Sequence, residues 1–396
     1  EEEQSLRDIL FKVNRDYETF VKNLEEKFPE YYNLKFNTAS PSIAEIQERL
    51  DAHTAILSYF IDEENNRLYT FAISRQKFKT RDSQLPPDFD KMITGLRNSL
   101  FYNEINTYVN TAGKLSKALL PPLPAAIDHL IVIPTGRMGV VPFEALFSRS
   151  VKGVPDYNSL PYLVNDYSIR YEFSAGLILQ KHTEASPSTA SPSILLCAPV
   201  DFPDNRGLGT LPGTEEEVID ISRLFKDQNL KSETFIKTKA DEDLVKSASI
   251  KGYKYLHFAT HGIVDEQHPE LSRIFLNPGK NEDGNLYSGE IYNLELNADL
   301  VALSACETGL GKISKGEGVI GLSRALVYAG AQSIMVSFWN VADASTSQLM
   351  RDFYARLLAR GNNDFSGALR AAKLKMVQGK TYAAPYFWAP FVLLGF

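Results

Sequence analysis

Two stretches of this chain deliver a reactive side chain just after an apolar run. KYLHFATHG brings His261 before Gly262, and DLVALSACETG brings Cys306 between Ala305 and Glu307. A thiolate can attack a carbonyl carbon while an imidazole takes and returns the proton, so a cysteine and a histidine brought to one place form a nucleophilic dyad. The two residues are 45 positions apart, enough for one crossover to return the chain to a neighbouring parallel strand. Open parallel sheets bind ligands beyond the carboxyl ends of their strands, where both residues are expected. A tetrahedral oxyanion needs preorganised donors. The backbone at Gly262 and the amide of Cys306, beside its own sulfur, are the candidate oxyanion hole.

Other residues of the same types receive plainer readings. Cys197, inside ILLCAPV, reads as a small buried hydrophobe, and His257, inside its strand, as a hydrogen-bonded structural residue. Asp265, four residues after His261, reads as a solvated loop carboxylate, and Glu317 as a carboxylate at the positive end of a helix dipole. Gly316 to Gly321 matches G-x-G-x-x-G, but eleven residues (305–315) separate it from the preceding strand, whereas the dinucleotide fingerprint follows its strand directly. GKIS (311–314) lacks the upstream glycine of a P-loop, and GLSRA (321–325) lies inside a predicted helix rather than at a nucleophile elbow. The six histidines and two cysteines lack metal-ligand spacing, so neither metal nor cofactor is expected.

The elements that must position these groups are legible as alternating strands and helices. Strands are predicted at 54–60, 67–73, 129–134, 167–173, 194–200, 233–237, 254–258, 300–304, 333–339 and 391–396, with helices at 214–226, 241–249, 317–329, 344–360 and 364–378. Continuous apolar strands separated by helices imply an α/β fold, its mostly parallel sheet covered by helices on both faces. The expected organisation is an N-terminal amphipathic helix or connector (1–36), an α/β region (37–183), a Pro/Ser linker (184–193) and a second α/β domain (194–396). Within 4–28, apolar side chains from Leu6 to Phe28 recur at helical spacing until Pro29 ends the pattern.

With 396 residues, 44% of them apolar, the chain has material for a large core, and no apolar run is long enough to span a bilayer. The net charge of -7 disfavours a nucleic-acid binder. Two cysteines cannot build a disulfide framework and fit a reducing, cytoplasmic setting. The acidic start EEEQSLRDIL does not read as a secretory signal, and the absence of an initiator Met marks the sequence as an expected piece of a longer protein.

YLHFATHG, LVALSACETGLG, KGEGVIGLSRALVYAGAQSIMVSFWNVAD and FWAPFVLLGF resemble the CHAT family of caspase-like peptidases, which are often fused to tetratricopeptide repeats and are related to caspases and separases. HLIVIPTGRMGVVPFEALF, YLVNDYSIRYEFSA and GLGTLPGTEEEVIDI resemble it as well, so the likeness runs from about residue 40 to the C-terminus. It implies His261 as base, Cys306 as nucleophile, a caspase-like α/β sandwich, and a degenerate, non-catalytic counterpart in 37–183. The implied activity is that of a cysteine endopeptidase acting on protein or peptide substrates in bacterial signalling or defence, with a regulatory protein or an upstream repeat region as activator and no direct nucleic-acid or membrane partner. The short Glu307–Gly316 segment lacks a long cleavable linker, so activation is expected through rearrangement rather than chain cleavage. In caspase-like enzymes the segment after the SIMVSFW strand pairs with substrate. Phe338, Trp339 and Asn340 would then supply edge hydrogen bonds and pocket walls. Asp343 either selects a basic side chain before the scissile bond or caps helix 344–360. A catalytically silent interaction scaffold is the alternative.

Overall fold

The structure, a computed structural model, describes residues 41–153, 156–184, 191–265, 268–304, 317–360 and 364–395, together with Lys12, Val13, Arg15 and Thr19. Those four N-terminal positions are helical, and the Thr19 hydroxyl donates to the Arg15 carbonyl at 2.8 Å. The rest of the predicted helix 4–28 lies outside the described residues.

Residues 43–396 form one compact unit. Its first half runs α1 (Ile43–Arg49), β1 (Thr54–Asp62), β2 (Arg67–Ser74), β3 (Lys77–Gln84), α2 (Phe89–Phe101), α3 (Ile105–Leu119), β4 (His129–Ile133), β5 (Ser168–Tyr171) and α4 (Ala175–Glu184). Its second half runs β6 (Ser193–Ala198), α5 (Pro212–Lys226), β7 (Lys231–Ile236), β8 (Tyr255–Phe258), β9 (Gly262–Ile263), β10 (Arg273–Phe275), β11 (Asn285–Tyr287), β12 (Ala298–Leu303), α6 (Glu317–Tyr328), β13 (Ala331–Ser337), α7 (Asp343–Arg360), α8 (Phe365–Gln378) and β14 (Phe391–Gly395). Eleven strands build a single sheet in the order β3-β2-β1-β4-β5-β14-β13-β12-β8-β6-β7, while β9, β10 and β11 form a small separate sheet. The large sheet is parallel except at β1/β2, β2/β3 and β13/β14.

Side-chain alternation along a strand sorts this sheet into two faces. On β1 and β4, Ala55, Leu57, Leu130 and Val132 enter the main core, which α2 and α3 share through Leu96, Tyr108 and Leu115. The alternate residues Ile56, Ile131 and Ile133 enter a second, smaller core with Ile46 of α1 and Ile178 of α4. The central strands read as predominantly apolar runs because both faces are covered. Every residue of β6, β8 and β12 is buried, and full burial of one such Leu or Val side chain contributes about 1.5–3 kcal/mol.

The two halves are joined through the C-terminal strand, with β14 lying between β5 and β13. A polar staple reinforces the joint. Lys373 Nζ of α8 donates to Glu144 Oε1 at 2.8 Å, and the Tyr171 hydroxyl donates to Glu144 Oε2 at 2.6 Å, all three residues being buried. Desolvation holds the Lys373 amine below the ordinary lysine range despite the Glu144 carboxylate, and it raises the Tyr171 phenol well above its ordinary value.

The predicted helix 241–249 is shorter than expected. It spans Glu242–Lys246, capped by the Asp241 carboxylate accepting from the Leu244 amide at 2.8 Å, and then gives way to a 3-10 turn over Ala248–Gly252. Ser247 is extended, and its hydroxyl donates back to the Leu244 carbonyl, a local bond that competes with helix propagation. Among the described residues no helix is long and apolar enough to cross a membrane.

Candidate active site

Strands β8 and β12 are parallel neighbours, with Leu256 opposite Val301 and Phe258 opposite Leu303. The pairing runs one residue further, where the Ser304 amide donates to the Phe258 carbonyl at 2.9 Å. His261 lies three residues beyond the end of β8, and the sequence reaches Cys306 two residues beyond Ser304. Cys306 itself lies outside the described residues. The expected topology, two strands side by side and ending in the same direction ahead of the two candidate residues, is present.

The His261 side chain is buried, with 8% of its surface exposed. Its Nε2 lies 2.8 Å from the Gly209 carbonyl. A carbonyl can only accept, so this nitrogen carries hydrogen, and in the neutral ring Nδ1 holds the lone pair. Nδ1 is buried and has no hydrogen-bond partner among the described residues. The ring of Phe202 packs against the imidazole with centroids 5.1 Å apart. The His261 carbonyl accepts from the Phe275 amide at 2.9 Å, and Gly262 faces Ile274 in the β9/β10 register. In an antiparallel ladder, bonded and non-bonded pairs alternate. Gly262 therefore occupies a non-bonded position, and its amide points away from β10.

The loop that supplies the Gly209 carbonyl leaves β6 through a strained turn. Val200 has φ of 63°, and the Asp201 amide donates to the Pro199 carbonyl at 2.7 Å, closing a three-residue turn. A β-branched residue at positive φ is held there by its surroundings. The loop returns when the Leu211 amide donates to the Val200 carbonyl at 2.8 Å, just before Pro212 opens α5.

Residues 109–396 match the family model of the CHAT domain. The chain belongs to the CHAT-domain family. It is 27% identical to human Tetratricopeptide repeat protein 28 over 315 residues, which cover 67% of this chain and 12% of that protein, and 26% identical to the mouse protein of the same name over the same length. The chain thus spans about one-eighth of the length of these relatives, 12% in each case. In fold it is similar to a chain of the Saccharomyces cerevisiae separase–securin complex, with a TM-score of 0.55 at 12% identity over 88% of this chain and 30% of that one. This is the caspase-like α/β architecture.

On the expected substrate side of this CHAT domain, the structure corrects one expectation and refines another. Phe338 and Trp339 face inward, with 4% and 3% of their surfaces exposed. The Phe338 amide donates to the Pro390 carbonyl at 3.0 Å, and its carbonyl accepts from Arg97 at 3.4 Å. Trp339 Nε1 donates to the Tyr386 carbonyl at 3.1 Å. The physical reason is strand order. Because β14 pairs along β13 as far as Ser337 and Phe391, the edge on which Phe338 was expected to receive substrate is already occupied. Asn340 is exposed, with its carbonyl accepting from the Tyr386 hydroxyl at 3.2 Å.

Asp343 is half-buried and is the first residue of α7. The cap position falls on Ala342, whose carbonyl accepts from the Thr346 amide at 3.2 Å. The Asp343 side chain lies against Gly213, where an added Cβ would come within 2.6 Å of Asp343 Cβ. Gly213 is four residues after Gly209, so this carboxylate sits beside the loop that holds His261.

The plainer readings match the structure. Cys197 is fully buried, which pushes its thiol far above the ordinary value. His257 is buried between Glu217 Oε1 at 2.8 Å and the Tyr354 hydroxyl at 3.3 Å. Asp265 folds into its own loop, accepting from the His268 amide at 2.9 Å. GLSRA lies within α6, which begins at Glu317. A cluster the sequence did not reveal joins Glu242, Glu282 and Glu290, whose carboxylate oxygens lie within 4.8 Å of one another. Lys246 Nζ fills it, at 2.8, 2.6 and 2.7 Å from the three.

Proposed function

We propose that this CHAT domain is a cysteine endopeptidase in which Cys306 is the nucleophile and His261 the general base. The carrying observation is the state of His261. Its Nε2–H is held by the Gly209 carbonyl while a buried Nδ1 without a partner among the described residues remains to take a proton, beside the strand that leads to Cys306. In this reading Nδ1 receives the thiol proton, and the thiolate attacks the scissile carbonyl carbon. The amides of Gly262 and Cys306 donate to the resulting oxyanion. The His261 imidazolium then protonates the departing amine, leaving an S-acyl enzyme. Water, deprotonated by His261, attacks the thioester, and the carboxylic acid leaves as the thiol regains its proton.

Substrate enters beyond Phe338, along Asn340, with Asp343 facing the side chain before the scissile bond. The relatives named for tetratricopeptide repeats support an upstream repeat region or a separate regulatory protein as the activator, acting by rearrangement without a cut in Glu307–Gly316.

A peptide carrying a thiol-reactive group at its scissile position tests this reading. Stoichiometric labelling of Cys306 in the wild type, lost in both Cys306→Ala and His261→Ala, is the expected result. Labelling that survives intact in His261→Ala removes the dyad, and no labelling with or without activator favours the silent scaffold.

A further inference from the structure

The His261 orienting bond ends on a backbone carbonyl in a loop with little rigidity of its own. Gly209 is exposed, and Gly207 two residues before it has φ of 62°. One end of the loop is tied by the Leu211–Val200 backbone bond. Its middle is tied to a neighbouring hairpin by a side chain. Arg206 reaches from the loop to the β10–β11 hairpin and donates through Nη1 to the carbonyls of Leu276 at 2.7 Å and Gly284 at 3.2 Å, and through Nη2 to the carbonyl of Asp283. The hairpin is shaped for this fork. Gly284 has φ of 82°, and a Cβ there would come within 2.5 Å of the Leu276 carbonyl oxygen and 2.6 Å of Arg206 Nη2. The hairpin is in turn fixed to the His261 backbone through the Phe275 amide. The chain therefore closes a ring: His261, β10, the Arg206 guanidinium, Gly209, and back to the imidazole.

We infer that Arg206 is a positioning residue for His261, acting through the Gly209 carbonyl to hold the imidazole in the Nε2–H tautomer with Nδ1 free to accept a proton. The planar guanidinium suits the task because it presents several donors in a fixed fork. Without it, the loop keeps its turn bonds from the Arg206 amide to the Pro203 carbonyl and from the Gly207 amide to the Asp204 carbonyl but loses the Arg206 tie to the hairpin, and the Gly209 carbonyl moves relative to the imidazole. The catalytic consequence rests on the dyad reading above; the tautomer claim does not.

Two measurements separate them. Imidazole nitrogen NMR of the whole chain, with the His261 resonance assigned from His261→Gln, is expected to show a single Nε2–H tautomer in the wild type and a mixture in Arg206→Ala. Rates of Cys306 labelling by the peptide electrophile are expected to fall roughly 10- to 100-fold in Arg206→Ala, the scale of a misplaced catalytic group, with half-saturating electrophile concentration within about twofold. Should Arg206→Ala not fold, Arg206→Gln keeps one amide donor and is read the same way. A His261 tautomer unchanged in a folded Arg206 variant overturns the inference. A wild type that does not label with or without activator, yet loses its tautomer preference on substitution, upholds the positioning role while refuting the peptidase.

Discussion

His257 Nε2 lies 2.8 Å from Glu217 Oε1 in an environment where both side chains are buried. His261 follows four residues later, beyond the end of that strand, and the two imidazoles are held in contrasting ways. His257 has a carboxylate on one nitrogen and the Tyr354 hydroxyl on the other, leaving nothing for chemistry. His261 has one nitrogen engaged and one without a partner among the described residues. The His257 contacts tie β8 to α5 through Glu217 and to α7 through Tyr354, a framework for the loops above. Glu217→Ala leaves one nitrogen of a buried imidazole without its partner, and leaving a buried polar group unsatisfied costs about 1–3 kcal/mol. Urea unfolding is expected to show a loss of that size. Glu217→Gln, which can still accept through its carbonyl oxygen, is expected to lose less than half as much. Equal losses in the two variants refute the hydrogen bond as the cause.

Much of this arrangement is legible in the sequence because burial on both faces leaves a simple trace. LVAL is an unbroken apolar run and YLHF is interrupted only by His257, and they lie on neighbouring strands of the sheet. What sequence hides has a physical reason in each case. Strand β3 reads KFKTRDSQ and has no buried residue, because it is an edge strand whose side chains meet solvent; charge on an edge discourages pairing with other chains. The Gly209 carbonyl is invisible because every residue carries a carbonyl and only the fold decides which one meets His261. The only trace was the GLGTLPGTEEE stretch as a whole. Phe338 was misread because sequence gives strands but not their order, and β14 takes the edge that substrate was expected to use.

The contact between Gly213 and Asp343 sets a steric limit at the site. Ala is ordinarily the better helix residue, by about 0.5–1 kcal/mol. At Gly213 its Cβ would come within 2.6 Å of Asp343 Cβ, and overpacking costs about 1–3 kcal/mol. Gly213→Ala is therefore expected to lose about 1–2 kcal/mol net in thermal or urea unfolding, despite its better helix propensity. Adding Asp343→Gly removes the opposing Cβ, so the double variant is expected to recover most of that loss relative to Asp343→Gly alone. Strictly additive effects would show that the two residues do not touch.

The Lys246 cage predicts a pH dependence with a definite sign. Burial by itself lowers the Lys246 pKa, but hydrogen bonds to Glu242, Glu282 and Glu290 outweigh it and hold the amine above its ordinary 10.5. Below that ordinary value both folded and unfolded chains keep the proton, so the stabilisation is fully present. Above it the unfolded chain gives up its proton first, and the contribution falls as pH rises towards the folded value. Lys246→Met should cost about 2 kcal/mol at pH 8. In urea unfolding, the gap between wild type and variant should stay constant to about pH 10 and narrow above it. A gap that widens above pH 10 contradicts the cage.

Asp343 carries the specificity argument. Among the described residues no lysine or arginine pairs with its carboxylate, although the first turn of α7 favours a negative charge there. It sits against Gly213, beside the loop that fixes His261. A carboxylate so placed discriminates by charge. In the proposed peptidase it would attract an ammonium or guanidinium before the scissile bond and penalise an acidic residue, which would meet a like charge. A peptide-library cleavage profile of the wild type is expected to favour Lys or Arg at that position. Asp343→Ala keeps the Cβ that packs on Gly213 and removes only the charge, so the expected change is a roughly 10- to 100-fold loss of kcat/KM on basic substrates with little change on aliphatic ones. An equal loss on both would assign Asp343 to helix stability alone, and a wild-type preference for aliphatic residues would remove it from the pocket.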